Sequence, residues 1–367
     1  MGPEGEIQVG LQVRGGRVAR VRIGSTRPDV ARALLQGRTR SEVAAAVPLL
    51  FSICGRSQSA ASRLACAAAA GEETTADALA RCSAAVSAET VRECTWRALL
   101  DWPKAMGEQP SAVAVTAARS SLAFRFDAQG AADASAIALA AFGDYADEWL
   151  ALNTLADLDR WADNGQTAAA RFVRRVRKED ADADTSGRTA PAAPLLDTRH
   201  TAAWIAELCD AAGADPAFAR HPTWRGAPAE TGALARLQAD PLLAELMRTS
   251  ESNVPARFVA RLRELALLLT GRTTAAVGAL TLPSGAGVAW VENARGLLVH
   301  QVRLDGQRVA DYRIVAPTEW NFHPGGALAL ELSGTRAGDR DSLRSRTTRL
   351  VESLDPCVVC RVEFDDA

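Results

Sequence analysis

Asp355-Pro356-Cys357-Val358-Val359-Cys360 stands near the end of a 367-residue chain, and its reading decides how the remainder is organised. Two thiols separated by two residues can hold one metal ion between them or close one disulfide. Proline fixes its own φ and pushes its predecessor out of the helical region, so Asp355-Pro356 predicts a tight turn that presents both sulfurs from a rigid corner. A matching thiol is needed elsewhere. The best candidate is Cys54, in Phe51-Ser52-Ile53-Cys54-Gly55-Arg56-Ser57. On this reading the fold brings two distant parts of the chain together.

Working outward, residues 340–354 read as a helix that delivers the corner. From about residue 286 the apolar period is two: Val288 and Trp290, Leu297 and Val299, Val302 and Leu304, then Val309, Tyr312 and Ile314. This predicts three or four antiparallel strands, with Asp305-Gly306 as one of the turns. The same alternation marks Ile7, Val9, Leu11 and Val13 against Val18, Val21 and Ile23 across Gly15-Gly16. That is a β-hairpin, which needs a larger body to pack on.

Helical patterns fill most of the interval. One opens at Arg27-Pro28-Asp29 and stops at Gly37, a second follows from Ser41, and the apolar stretch 47–53 carries Cys54 inward. A helix resumes after Gly55. Ser87 reads as the N-cap of a helix running to Trp102. Further helices are expected at 132–160 (with Gly143 as a break), 165–178, 200–212, 229–248 and 255–270, the last with Phe258, Leu262, Leu265, Leu268 and Leu269 on one broad face. Within 109–127, Val113 to Val115 and Leu122 to Phe126 read as candidate strands. Residues 179–197, rich in Asp, Ser, Gly and Pro, read as an exposed mobile loop inside a single domain spanning 1–367. The fold class is α+β: a mainly helical core, an N-terminal β-hairpin and a small antiparallel sheet near the C-terminus.

Forty-two basic residues against 44 acidic ones leave a formal charge of −2, which indicates neither a nucleic-acid surface nor a polybasic membrane anchor. No apolar run approaches the roughly 20 residues that span a bilayer. Met1-Gly2-Pro3-Glu4-Gly5-Glu6 lacks the apolar segment of a signal peptide, so the expected location is cytoplasmic. Seven cysteines, an odd number, argue against a disulfide framework. Cys66, Cys82, Cys94 and Cys209 lie in alanine-rich helical patterns and read as buried small hydrophobes. The basic run Arg171, Arg174, Arg175, Arg177 and Lys178 reads as a solvated helix face.

For Cys357 and Cys360 the alternatives differ in context. Half a zinc knuckle lacks its second pair and a nearby histidine. A thioredoxin-like pair follows a strand and opens a helix, whereas this one follows a helix, although oxidation to a disulfide stays open to it. His300 and His323 read as packed or hydrogen-bonded residues rather than ligands.

The order of motifs adds a resemblance. The Gly-turn hairpin is followed by Ile53-Cys54-Gly55, then by Glu230-Thr231-Gly232-Ala233-Leu234-Ala235-Arg236. Next come Arg295-Gly296-Leu297-Leu298-Val299-His300, Ala316-Pro317-Thr318-Glu319-Trp320-Asn321 and the closing Cys-x-x-Cys. Together these blocks resemble the large subunit of nickel–iron hydrogenases, and more closely its shortened relatives, the hydrogenase expression/formation proteins of the HupK/HoxV type. Both ends and the later part of the chain carry the resemblance, while 100–220 contributes little.

In large subunits two Cys-x-x-Cys pairs hold nickel and an iron that carries two cyanides and one carbon monoxide. The resemblance implies that Cys357 matches a terminal nickel ligand, Cys360 a bridging one, and Cys54 the first thiol of the other pair. Ser57 stands where the fourth thiol belongs. It also implies that Arg295, Pro317 and Thr318 face the cyanides, where a guanidinium makes charge-assisted hydrogen bonds. Trp320 and Asn321 then serve as structural supports. Ala294 replaces the family's usual proline, Glu363 and Ala61 stand in place of histidines, and the glutamate of the early Arg-Gly-x-Glu block is missing around Arg27 to Gly37. The peptide removed from large subunits on maturation is expected to be absent or rudimentary, with the chain closing at Ala367.

A stable nickel site needs soft donors, and a serine hydroxyl is a poor one. An iron already bearing three strong diatomic ligands asks for only two or three thiolates. The resemblance therefore implies a non-enzymatic scaffold that binds Fe(CN)2(CO), without nickel, through Cys54, Cys357 and Cys360. Its implied partners are a small maturation chaperone that delivers the unit and the hydrogenase large subunit that receives it, with no nucleic acid and no membrane. The competing expectation is a redox enzyme, either a degenerate hydrogenase or a Cys-x-x-Cys thiol oxidoreductase.

Overall fold

Alternating apolar residues at the N-terminus form β1 (Glu6–Arg14) and β2 (Arg17–Ser25), with Ile7, Val9, Leu11 and Val18 buried. Gly15 and Gly16 both take positive φ, as the tight turn between them requires. The structure is a computed structural model. It describes residues 5–365 apart from 28–29, 52, 184–191, 197–201, 216 and 284. Pro28 and Asp29, read as a helix start, and Met1 to Glu4, read for an export signal, lie outside the described residues. So does much of the loop expected at 179–197. Of its described part, 179–181 still belong to the helix Ala168–Ala181, and Leu195 bridges to Glu230.

The late period-two segment forms β4 (Ala286–Asn293), β5 (Gly296–Asp305) and β6 (Arg308–Val315), and a further strand that precedes it, β3 (Val277–Leu282), completes an antiparallel sheet of order β3-β4-β5-β6. Gly306 supplies the positive φ at the β5–β6 turn. The residues read as two short runs, Leu297 to Val299 and Val302 to Leu304, are one strand. Their broken alternation has a physical cause: residues Gly296 to His300 are all buried, so both faces of β5 are covered there. The residues after the thiol corner form a strand the alternation at 286–314 gave no hint of. β7 (Val359–Asp365) lies parallel to β1, with Ile7 opposite Cys360, and completes a sheet of order β2-β1-β7. Arg361 bonds Glu6 across this pair at 2.6 Å, and Phe364 is covered by the guanidinium groups of Arg340 and Arg344.

The chain divides into two compact units. One comprises Met1–Cys82, Asp184–Ala235 and Ala276–Ala367, and holds both sheets; the other comprises Ser83–Ala183 and Arg236–Ala275. In the first, the helix Gly55–Ala69 lies on one face of the four-stranded sheet, where Leu64, Ala65 and Ala69 pack with Ala289, Val302 and Tyr312. Its backbone comes so close that a Cβ on Gly287 would lie 2.2 Å from Ala69 N. The opposite face packs Val288, Leu297 and Val299 against Trp204, Ile205 and Leu208 of the helix Ala202–Ala214, and against Trp320. A sheet covered on both faces gives rigid strand ends from which to hang a site.

The second unit is helical. Trp102 stacks on Phe172 at a centroid distance of 4.7 Å, and Phe258 of the almost wholly buried helix Val254–Leu269 meets both edge to face at 5.3 and 4.9 Å. Several local expectations are corrected here. The candidate strand Val113 to Val115 lies in the helix Ala112–Ser121, capped by Ser111 and burying Ala114, Ala117, Ala118 and Ser121 at helical spacing. Leu122 to Phe126 form no strand either, following that helix as turns. Ser87 is not an N-cap: it lies inside the helix Ala76–Trp96, and its hydroxyl accepts from Ala275 N at 2.7 Å. The stretch 229–248 contains two helices, Ala233–Arg236 and Pro241–Thr249, the second capped by Asp240. The stretch 132–160 breaks at Gly143, φ 77°, as its sequence allowed.

Cys66, Cys94 and Cys209 are buried as expected, whereas Cys82 is half-buried, and among the described residues no disulfide joins any of the seven cysteines. No helix among them is long and apolar enough to cross a membrane.

Gly296, at the start of β5, has φ 130°, and a Cβ there would meet Thr231 Cγ2 at 2.4 Å and Oγ1 at 2.6 Å. Gly296→Ala is expected to lower stability by about 3 kcal/mol in urea unfolding. Gly306→Ala, at a turn with open space around it, is expected to cost only about 1 kcal/mol. Equal losses at the two positions would count against the close fit of β5 on Thr231.

Candidate functional site

Cys54 occupies the N-cap of the helix Gly55–Ala69 with φ −112° and ψ 33°. Its carbonyl accepts the first intrahelical bond, from Gln58 N at 3.0 Å. The residue therefore sits at the N-terminal end of a 15-residue helix, without a side-chain capping bond. Ser57 lies in the first turn of the same helix and is fully buried.

Gln58 connects this thiol to the sheet. Its amide nitrogen donates to Cys54 Sγ at 3.6 Å, and its oxygen lies 2.8 Å from His300 Nε2. His300 Nδ1 in turn lies 2.8 Å from the Tyr312 hydroxyl. Only one set of proton positions satisfies all three contacts with a neutral ring: Nε2–H donates to Gln58, and Tyr312 O–H donates to Nδ1. Full burial pushes the His300 pKa down to about 3, so the imidazole is neutral. His300 is a packed, hydrogen-bonded residue.

The other two thiols come from the C-terminal corner. The helix Arg340–Leu354 ends at Asp355, which takes the left-handed conformation at φ 51°, ψ 66°, and Pro356 blocks any further turn. Cys357 Sγ then lies 3.3 Å from Thr318 Oγ1, beside the short helix Pro317–Asn321. Cys360 lies on β7. Burial, reinforced by the Glu6 carboxylate, pushes its pKa up to about 12, so the sulfur carries a proton at neutral pH.

Arg295 stands at the turn between β4 and β5, is buried, and places its Nε 3.7 Å from an Asp355 carboxylate oxygen. The Asn293 side chain accepts from Arg295 N at 2.9 Å and Gly296 N at 3.2 Å. Asn321 donates to the Arg295 carbonyl at 3.3 Å and accepts from Thr231 N at 2.9 Å. The Thr231 hydroxyl accepts from Leu297 N at 3.0 Å. Three sequence blocks far apart in the chain are thus tied together by side chain–backbone bonds, with Asn321 as the central support.

One residue at this site was missed in the sequence. Arg27, just beyond β2, places its Nη1 2.8 Å from Glu319 Oε1. Burial opposes its charge, but Cys357, Glu319 and Cys54 together outweigh that and hold its pKa above the usual value. Cys357 and Cys54 thus both act electrostatically on one guanidinium, whose hydrogen-bond partner is Glu319. Arg27 opens the stretch set against the family's early Arg-Gly-x-Glu block, but its partner lies 292 positions away, so no local signal links it to the thiols. Among the described residues, no three His, Cys, Asp or Glu side chains converge as a ready-made metal cage.

The His300 relay has a measurable consequence. Unfolded, the imidazole binds a proton near pH 6.5; folded, only near pH 3. Between these values the unfolded chain holds more protons, so this contribution is complete above pH 6.5 and is lost as pH falls, by about 1.4 kcal/mol per pH unit. From pH 7.5 to 5.0 the natural chain should lose about 2 kcal/mol more than His300→Gln in urea unfolding. Parallel losses in the two proteins would refute the buried neutral imidazole.

Comparison with known proteins fits this geometry. Residues 242–363 match the nickel-dependent hydrogenase family. The chain is 32% identical to the hydrogenase expression/formation protein HoxV of Cupriavidus necator, over 94% of this chain and 93% of that one. It is 31% identical to the hydrogenase expression/formation protein HupK of Rhizobium leguminosarum, over 99% and 97%. In fold it matches the Ni-Fe-Se hydrogenase of Desulfovibrio vulgaris Hildenborough in its as-isolated oxidised state, with a TM-score of 0.56, 94% of each chain covered and 15% identity. The mainly helical α+β fold is thus the one seen in that hydrogenase, and the near-full-length relatives show that the chain belongs to the hydrogenase expression/formation proteins of the HoxV/HupK type.

Proposed function

We propose that this protein is a non-enzymatic carrier in hydrogenase maturation. It takes up an iron bearing two cyanides and one carbon monoxide on the thiolates of Cys54, Cys357 and Cys360, and passes it to the large subunit of a nickel–iron hydrogenase. The observation that carries this reading is the donor set. Cys357 and Cys54 both act electrostatically on the Arg27 guanidinium, Cys360 follows on the adjoining strand, and the fourth position is the buried hydroxyl of Ser57. Nickel asks for four soft donors, whereas an iron with three diatomic ligands is completed by two or three thiolates. Arg295, Pro317 and Thr318 form the cyanide-facing wall, where buried hydrogen-bond donors replace water around the diatomic ligands.

A thiol oxidoreductase is favoured less. Such enzymes depend on a lowered thiol pKa, and that of Cys360 is raised to about 12. The carrier works in the cytoplasm. A small chaperone hands it the iron unit, and the thiol protons leave as iron binds.

The test is infrared spectroscopy with metal analysis on protein purified anaerobically from cells that contain the maturation machinery. Cyanide and carbonyl bands with iron and without nickel are expected. Cys357→Ala and Cys360→Ala should each abolish iron retention, and Cys54→Ala should weaken or abolish it. Full iron occupancy with diatomic bands in all three variants would remove these residues from the site; absence of the bands from the natural protein would end the carrier reading.

A further inference from the structure

We propose that Arg27, held by Glu319 beside Cys54 and Cys357, selects an anionic, ligand-bearing metal unit over a bare divalent cation; the identity of that unit rests on the carrier reading above. The placement of Arg27 is built from both sides. Its backbone is clamped where β2 meets β1: Thr26 N donates to the Glu6 carbonyl at 2.9 Å, and Glu6 N donates to the Thr26 hydroxyl at 3.0 Å. Gly5, at φ 73°, lies against it so closely that a Cβ there would stand 2.7 Å from Arg27 Cα. At the far end, Nη1 bonds Glu319 at 2.8 Å, with the two side chains only 19% and 17% exposed. Glu319 directly follows Thr318, whose hydroxyl touches Cys357 Sγ at 3.3 Å. A rotamer-rich side chain is thus fixed at the thiols rather than left to solvent.

The charge count gives this placement its meaning. Glu319 also faces Arg220, so the two arginines with one carboxylate leave a positive surplus beside the sulfurs. A bare divalent cation is repelled by that surplus, and on two thiolates it sums to zero, so the attraction between the guanidinium and the thiolates is lost as it binds. An iron(II) with two cyanides on the same thiolates sums to −2, and the guanidinium both offsets that charge and offers N–H donors to the cyanide nitrogens. Arg27 acts on metal choice through charge; it is not a metal ligand.

Arg27→Gln and Arg27→Lys separate the possibilities. On metal-free protein, cadmium is titrated in by its thiolate charge-transfer absorption; on protein from maturation-competent cells, iron and the diatomic infrared bands are measured. Arg27→Gln should bind cadmium several-fold more tightly while its iron-unit occupancy falls about tenfold, and Arg27→Lys should recover part of both. Unchanged cadmium affinity with unchanged bands would overturn the proposal. So would a loss of cadmium and iron together, since Arg27 would then only be supporting the fold. A natural protein without diatomic bands would end the carrier reading and the choice of anion, while the cadmium titration would still decide the charge preference.

Discussion

Asn321 holds the site together. Its amide donates to the carbonyl of Arg295 and accepts from the backbone of Thr231, while Thr231 accepts from Leu297. These groups are buried, where each missing partner would cost about 1 to 3 kcal/mol and where neighbouring bonds strengthen one another. The consequence is geometric. The turn that carries Arg295, the helix that carries Thr318 and Glu319, and the segment at Glu230 cannot move separately. Gly232 and Gly296, both at φ values that disfavour a side chain, make the close approach of these backbones possible.

Around this fixed wall the three thiols are held by different means. Cys54 depends on a helix terminus and on a relay through Gln58 and His300 into the sheet. Cys357 depends on a strained corner, Asp355 in the left-handed region before a proline. Cys360 depends on strand pairing. Three unrelated supports thus position the three thiols, and among the described residues no three His, Cys, Asp or Glu side chains are grouped to hold a metal.

Much of this was legible in the sequence, for reasons that differ by residue. The Asp-Pro-Cys corner was readable because proline acts on its immediate neighbours, and the helix at 340–354 ended where that logic placed it. Three strands of the four-stranded sheet, β4 to β6, were readable from their apolar residues at 288–314, whereas β3 at Val277–Leu282 was not. Other features were hidden. Cys360, Val362 and Phe364 alternate with Arg361 and Glu363, but a single short strand pairing with residues over 300 positions away has no local signature. Arg27 and Glu319 were invisible as a pair for the same reason. Ala112 to Ser121 misled because Val and Thr favour strands, whereas burial of alanines at helical spacing decided the outcome. Ser87 looked like a cap because its hydroxyl is made to accept a backbone N–H, and it does so, from Ala275 instead of from its own helix.

The parallel pairing of β1 with β7 also sets a schedule. Glu6 pairs with Val359, so the strand that carries Cys360 can pair only after the long intervening stretch has been made. At about 5 to 20 residues per second that interval is on the order of tens of seconds. Pairing of β7 on β1 is therefore a late, long-range folding event, whereas the β1–β2 hairpin can close as soon as its own residues are made.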